Sequence, residues 1–395
     1  MLLKRATIKH YKSLDNVDVS LSPITVLVGP NGVGKSNFVD CLRFFRDAAV
    51  DGLEHAVIAR EGIDRIRQNY KSRPYNISIN LEFDAAELDG EPCEYSLSLS
   101  GKDGEYRVEG EASRYVHIER LRDPNGQWVT AVGRGQFDRQ RDGRLSVNGN
   151  VLERTMKPDV LALGDYIDFE TLGGEIVDFV RGWSFCALYP NTLRRLGTPA
   201  KDDRLLEDGS NWASVVKALK RTKNGQAALE RIAEVMRTAM PGYQNISVST
   251  AGSYLVPQMT LSTLSEGSPR QQKFDPVQLS DGTLRVFGIL LALYQQPPPP
   301  FLVIEEPEQT IHPGVLPALA EAFKEASERT QIVITTHSPQ LVDQFDPENI
   351  RVVFSDGGLT RISPIKASQI EAAKERLMSL QEFMSAEGLL PEVAS

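Results

Sequence analysis

Cysteine is scarce in this chain. Its 395 residues hold three, Cys41, Cys93 and Cys186, far apart and in no CxxC pair. That argues against a disulfide framework or a structural zinc and fits a reducing, cytoplasmic setting. Long apolar runs are missing as well: nothing approaches the ~18 residues of a membrane-spanning helix, so no membrane partner is expected. The opening MLLKRATIKHYKSLDN is too charged for a signal peptide, being broken by Lys4, Arg5 and Lys9. An excess of positive charge is also lacking. With a net charge of −9 the molecule as a whole is no polyanion binder, so any nucleic-acid contact has to be a local basic patch. The histidines, His10, His55, His117, His312 and His337, are scattered, and no metal-nuclease cluster of His and Asp is visible.

What the chain does have is apolar patterning that changes period along its length. LLKRATIKHY and VDVSLSPITVLVG alternate like strands, and ITVLVG is a continuous apolar run of the buried parallel kind. Residues 34–48 read as a helix. ISINLEF, YSLSLSG and EYRVEGEASRYVHIERL alternate again, separated by turns at LDGE and KDGE, and predict an antiparallel meander. In WASVVKALKRTKNGQAALERIAEVMRTAM the period becomes helical, with two amphipathic segments split at Lys-Asn-Gly. Strands return in YQNISVST and LVPQMTLS. LRVFGILLALYQQ is a mostly apolar helix stopped by Pro297 to Pro300, and FLVIEE and QIVITT are buried strands flanking the helix VLPALAEAFKEASE, a βαβ unit.

Residues 29–36, GPNGVGKS, match the phosphate-binding pattern GxxxxGK[ST]. Backbone N–H groups must converge on phosphate oxygens, so Gly29, Gly32 and Gly34 remove Cβ obstructions. The following helix turns its positive end to the phosphates, with Asn31 and Asn37 counted among the contacts. Lys35 supplies a point charge to the β and γ phosphates, and the Ser36 hydroxyl can ligate Mg²⁺. FLVIEEPEQTIHP, residues 301–313, ends an apolar run in two glutamates, an expensive arrangement without compensation. If this strand runs beside ITVLVG, its tip meets the same phosphates and a magnesium ion inverts the electrostatics. Glu305 then holds Mg²⁺ and Glu306 polarises an attacking water. The plain alternative is a solvated pair at a strand end.

Three further segments carry a resemblance. LSDGTLR, residues 279–285, resembles the signature motif of ABC-type ATPases, with Asp281 where many transporters have glycine. EEPEQTIHP resembles an extended Walker B plus D-loop, and ITTHSPQLVD has His337 at the switch-histidine position. With their order and the opening IKHYKSLDNVDVSL, the sequence resembles the RecF/SMC-like branch of ABC ATPases. Within that branch it is similar to stand-alone bacterial AAA-type proteins related to the ATPase part of overcoming-lysogenization-defect (OLD) proteins. The likeness is good over about residues 1–70 and 275–390.

The resemblance implies an α/β P-loop head with an antiparallel β-subdomain, built from 1–150 and 271–395, and an inserted, mostly helical lobe at 151–270. It implies ATP and Mg²⁺ as cofactors and a homodimer or higher homo-oligomer. In that assembly Ser280, Asp281 and Gly282 of one subunit cap the γ-phosphate held by the other, and Gln309 and His312 face the partner. His337 links the γ-phosphate to Glu306, and Lys12 and Ser13 contact adenine. A Q-loop glutamine is not obvious; Gln68 is the nearest candidate metal-sensing residue. Taken alone, Ser280 is equally an N-cap, His337 a satisfied histidine and Gln68 part of a solvated basic stretch.

Purpose is less legible. One reading is a DNA-associated clamp, with Arg194, Arg195, Lys217, Lys220, Arg221 and Lys223 touching phosphates, although such runs are usually solvated helix faces. The other is a regulatory scaffold that holds a separate effector such as a nuclease, in DNA repair or anti-phage defence. The segment after His337 is too short for the Toprim nuclease domain that OLD proteins carry there. A transporter subunit is disfavoured by the long insertion.

Overall fold

The computed structural model describes residues 1–395 except 69–74, 86–91, 123–126, 168–169, 200–203, 266–267 and 393–395. The LDGE turn at 88–91 lies outside the described residues. β1 (Leu2–Tyr11) and β2 (Leu14–Ser20) form a hairpin, and β3 (Ile24–Val28), buried at all its positions, runs into the glycine loop. The loop opens α1 (Lys35–Val50), followed by the short helices α2 (Leu53–Ile58) and α3 (Ile63–Ile66). The meander then unrolls as β4 (Ile77–Asp84), β5 (Pro92–Lys102), β6 (Glu105–Arg122), β7 (Trp128–Gln140), β8 (Arg144–Val147) and β9 (Asn150–Thr155). A bulge in the β1–β4 ladder between Leu3 and Arg5 explains why β1 buries Leu3, Ala6 and Ile8 rather than strict alternates. The KDGE turn is a two-residue hairpin loop with Asp103 and Gly104 both at positive φ, which suits the twist of its strands.

The segment 151–270 is richer in strand than a helical lobe. After the ribbon β10 (Tyr166–Ile167) and β11 (Glu170–Thr171) come α4 (Gly174–Arg181) and β12 (Ser184–Cys186). Then follow α5 (Pro190–Leu193), α6 (Trp212–Leu219) and α7 (Lys223–Ala239). Thr222 accepts a hydrogen bond from the Gly225 N–H and so caps α7, which sets the break between the amphipathic helices just before Lys-Asn-Gly. β13 (Tyr243–Ala251), β14 (Tyr254–Ser265) and β15 (Ser268–Phe274) make a separate antiparallel sheet. β12 leaves the segment altogether and pairs in parallel with a strand of the large sheet.

The C-terminal third supplies α8 (Asp281–Tyr294), β16 (Phe301–Glu305), α9 (Leu316–Ala326) and β17 (Gln331–Thr336). It continues with α10 (Pro339–Val342), β18 (Ile350–Asp356), β19 (Leu359–Pro364), α11 (Ala367–Lys374) and α12 (Leu380–Ala386). The large sheet, fourteen strands among the described residues, runs β12-β16-β17-β3-β18-β19-β2-β1-β4-β5-β6-β7-β8-β9. Its first five strands are parallel, and the rest is the antiparallel subdomain joined through the β19–β2 contact. One expectation needs correcting. β16 does not run beside β3, because β17 lies between them. All three strands still end at the same edge, so the strand tip and the glycine loop remain neighbours.

Continuous apolar strands are explained by burial on both faces. Phe301 and Val303 pack on the side of α1 and α4, while Leu302 and Ile304 pack on the side of α8 and α9. α8 is buried from Thr283 to Tyr294, which is why its sequence lacks a polar stripe. Each fully buried Leu, Ile or Phe there contributes about 1.5–3 kcal/mol. Among the described residues no helix is long and apolar enough to cross a membrane.

Candidate active site

The glycine loop is built so that its N–H groups stay available. Gly34 takes φ 105° at the N-cap of α1, no side chain caps the helix, and the first turn holds no acidic residue. The positive end of a 16-residue helix is thus left free for an anion. A Cβ on Gly29 would sit 2.2 Å from the Val353 carbonyl oxygen, and one on Gly34 2.0 Å from Thr360 Oγ1. Gly32 has φ 80° with open space around it, while Asn31 is exposed. Lys35 is 5% exposed and its ammonium donates to the carbonyls of Gly29 at 2.7 Å and Pro30 at 3.0 Å. Burial pushes this ammonium below its ordinary value, against the pull of Glu306, Glu308 and Glu305.

The acidic strand tip meets this loop. Ser36 Oγ donates to Glu305 Oε2 at 2.8 Å, and Arg43 Nη2 stands 3.7 Å from Glu305 Oε1. A hydroxyl and a carboxylate are hard oxygen donors of the kind Mg²⁺ takes alongside phosphate and water. Among the described residues no group of three His, Cys, Asp or Glu side chains is set to hold a metal by itself, so phosphate oxygens would have to complete any such site. Glu306 follows with φ 46°, a left-handed conformation that a glutamate adopts only when its surroundings hold it there. Its carboxylate accepts from the Gln309 amide and lies 3.6 Å from His337 Nδ1. His337 leaves β17 with its side chain half exposed.

The surroundings that hold Glu306 include a residue sequence reasoning missed. Arg285, in the first turns of α8, is 6% exposed and donates to the carbonyls of Glu305 at 3.2 Å, Glu306 at 2.8 Å and Leu188 at 2.8 Å. Its place within LSDGTLR gave a position but no partner. Ser280 caps α8 by accepting from the Thr283 N–H at 3.1 Å and is itself exposed. Gly282 packs on the loop after β16: a Cβ there would lie 2.4 Å from the Thr310 carbonyl oxygen. Asp281 is paired with Arg194, which also donates to the Leu279 carbonyl at 2.9 Å. His312 Nδ1 accepts from the Gly314 N–H at 3.1 Å at the end of the same loop.

On the other flank, Ser13 Oγ accepts from Asn37 Nδ2 at 2.7 Å and lies 2.6 Å from Thr360 Oγ1, which donates to the Val33 carbonyl. Lys12 pairs with Asp40 at 2.6 Å. Burial alone would push Asp40 up, but hydrogen bonds from Lys12 and Tyr11 and the Arg60 charge hold it below its ordinary value. Gln68 is not part of this gathering. Its N–H donates to the His10 carbonyl on β1, and its amide is buried with neither atom partnered among the described residues. It bonds to neither Ser36 nor Glu305, and it is buried rather than solvated. Glu308, Thr360 and Arg43 were also missed; only EEPE, with its third acid, carried a signal for one of them.

A glycine loop on an uncapped helix, an acidic pair at a neighbouring strand tip and a histidine just past the end of the intervening strand define an ABC/SMC-type P-loop ATPase head. The chain belongs to the family described as "AAA domain, putative AbiEii toxin, Type IV TA system", whose model matches residues 24–165 and 185–343. Over 110 residues it is 26% identical to the OLD nuclease of Thermus scotoductus (strain ATCC 700910 / SA-01), a match covering 27% of this chain and 20% of that protein. The alignment thus takes in about a fifth of the relative's length. Among solved structures, the Smc head bound to the C-winged helix domain of ScpA superposes with a TM-score of 0.57 at 14% identity, covering 94% of this chain and 99% of that one. The Smc head domain with an extended coiled coil bound to the C-terminal domain of ScpA, from Pyrococcus furiosus, gives 0.51 at 12% identity, covering 95% and 99%. The protein is an ABC-type ATPase related to OLD nuclease, with the fold of an SMC head.

Proposed function

We propose that this chain hydrolyses ATP and that ATP draws two heads together to control a separate effector or a DNA transaction in the cytoplasm. The observation that carries hydrolysis is Glu306, fixed in a left-handed turn beside His337 one residue after a glutamate that touches Ser36. In this reading Lys35 releases the Gly29 and Pro30 carbonyls and binds the β and γ phosphates. Ser36 and Glu305 hold Mg²⁺, which supplies neutralising charge at the phosphates when bound. Glu306 accepts the proton of the attacking water, oriented by Gln309, and His337 contacts the γ-phosphate. Lys12 and Ser13 lie toward the adenine. Ser280 and Gly282 reach the γ-phosphate of a second copy, at the N-terminus of its α8. Gln309 and His312 face that copy.

Between the two purposes, an effector scaffold is favoured over direct DNA contact. Arg194 is occupied by Asp281, Lys220 donates to the Ile246 carbonyl, and Lys217 donates to Thr250 Oγ1 at 3.2 Å. Arg195, Arg221 and Lys223 are exposed, as Lys220 is even with its bond, and they stand on a chain of charge −9. The nuclease name of the curated relative and the ScpA-bound state of the Smc heads support a protein effector, a nuclease among the options, in DNA repair or anti-phage defence. The test is phosphate release from Mg-ATP by wild type and Lys35→Ala, with light scattering in ATP and in ADP. Equal release by both proteins sinks the hydrolytic reading. A DNA affinity that falls steeply with salt would favour the DNA-clamp reading instead.

A further inference from the structure

The strand tip carries a third carboxylate that the hydrolytic reading leaves idle. Glu308 is 9% exposed in its side chain. Its Oε1 accepts from the Thr336 hydroxyl at 2.6 Å and from the His337 backbone N–H at 3.2 Å. The same oxygen stands 3.4 Å from His337 Nδ1. Oε2 is buried without a partner among the described residues. A buried acid this incompletely satisfied calls for an explanation, and a purely structural role supplies a poor one, since an amide would serve Thr336 and the backbone as well.

His337 Nδ1 therefore faces two carboxylate oxygens, Glu308 Oε1 at 3.4 Å and Glu306 Oε1 at 3.6 Å. A ring nitrogen so placed is the one that carries hydrogen, and the other nitrogen is set by default. The two acids are not equivalent. Glu306 is shared with Gln309 and, as the proposed base, must keep an oxygen for water. Glu308 is pinned by Thr336, which is fully buried at the end of β17, and by the backbone of His337 itself. It is tied to the segment that bears the imidazole, so it holds the ring wherever that segment moves. Distances of this length tighten when substrate is in place.

We propose that Glu308 is the positioning residue of His337. It fixes hydrogen on Nδ1 and the orientation of the ring, so that when the γ-phosphate binds, Nε2 takes a second proton from solvent and donates it to the phosphate while the carboxylate balances the charge. Glu306 is thereby freed of that task. The consequence for turnover rests on the ATPase reading; the pairing itself does not.

The experiment uses the full chain labelled with ¹⁵N-histidine. Long-range ¹H–¹⁵N correlation of the histidine rings is read in wild type, Glu308→Gln, Glu308→Asp and Thr336→Val, with His337→Asn to assign the signal. Wild type is expected to hold Nδ1 protonated at His337. Glu308→Gln should shift the ring toward Nε2 protonation and lower kcat for phosphate release by about tenfold to a hundredfold, with ATP affinity changed by less than about threefold. Glu308→Asp should restore the ring state in part. Thr336→Val, the milder variant should Glu308→Gln fold poorly, moves both readouts in the same direction. A ring state that is the same in wild type and every variant overturns the proposal, as does a fall in kcat with no change at the ring. Should wild type release no phosphate at all, the hydrolytic reading fails, while the ring measurement still decides whether Glu308 holds His337.

Discussion

Ser36 donates its hydroxyl to Glu305 across 2.8 Å, joining the glycine loop to a strand tip 269 positions away. That bond is why two adjacent glutamates are tolerable there. Ser36 and Arg43 face Glu305, Arg285 grips the backbone, and Lys35 lies within the field of both acids. The site is poised for positive charge. In wild type, removing Mg²⁺ with a chelator is expected to weaken ATP binding at least about tenfold, roughly 1.4 kcal/mol. Ser36→Ala and Glu305→Gln should each shrink that difference. Calorimetric titration with and without the metal checks it, and an undiminished metal effect in both variants removes this pair as ligands.

Glu306→Gln keeps the size and the acceptor toward Gln309 but cannot take a proton. Turnover is expected to fall by about a hundredfold or more, with ATP binding preserved. If the heads close on ATP, this variant also accumulates as the associated form in light scattering. Wild-type phosphate release from Glu306→Gln rejects it as the base.

The contrast between these residues marks what could be read in advance. Lys35, Ser36 and the two glutamates sit in short contiguous motifs whose chemistry is local, and so does the two-residue turn at Asp103 and Gly104. The intervening position of β17 was hidden because apolar strands of equal length look alike and the order of a sheet is set by packing across the whole chain. β12 was missed because its three residues are too few to show a period. Arg285 and Glu308 were visible as residues but not as partners, since their bonds reach Leu188, Thr336 and His337 across the fold. Gln68 is the opposite case: a residue type was matched to a role, and the structure shows its N–H on the His10 carbonyl of β1 with no bond to Ser36 or Glu305.

Ser280 combines two jobs that substitution can separate. It caps α8, and in the proposed dimer it faces the partner's γ-phosphate. Aspartate is at least as good an N-cap, but its charge would oppose the phosphate. Ser280→Asp should therefore melt close to wild type while losing the part of ATP hydrolysis that rises with protein concentration. Ser280→Ala should lose about 1 kcal/mol of stability as well. Thermal unfolding and turnover measured over a range of protein concentration check both, and normal cooperative turnover by Ser280→Asp removes the trans role.

Stability should be most sensitive deep in the antiparallel subdomain. Glu111 and Arg139 are both fully buried, and Glu111 also accepts from the N–H groups of Ala162 and Leu163 at 2.7 and 2.8 Å. Burial pushes the Glu111 carboxyl up, so the folded state binds this proton more tightly than the unfolded chain. Its effect on stability is unfavourable at neutral pH and lessens as pH falls through the folded value. Arg139→Met strands that acid and should cost about 3–5 kcal/mol in urea unfolding, with part of the loss recovered on mild acidification. A loss that grows on acidification contradicts the sign.

Arg285 ties the helix behind the signature-like motif to the turn that carries Glu306. One guanidinium holds the carbonyls of Leu188, Glu305 and Glu306 from a buried position, so no water can replace it at low cost. Arg285→Met fills the space but leaves those carbonyls without their donor and releases the left-handed residue beside His337. Lysine is no substitute, because a single ammonium cannot reproduce the fork. Both variants are expected to bind ATP near wild-type affinity, since neither touches the glycine loop, and to lose hydrolysis by about tenfold or more. Nucleotide titration against single-turnover hydrolysis separates the two effects. A variant that binds poorly but turns over at the normal rate once saturated would place Arg285 with the nucleotide and not with the turn.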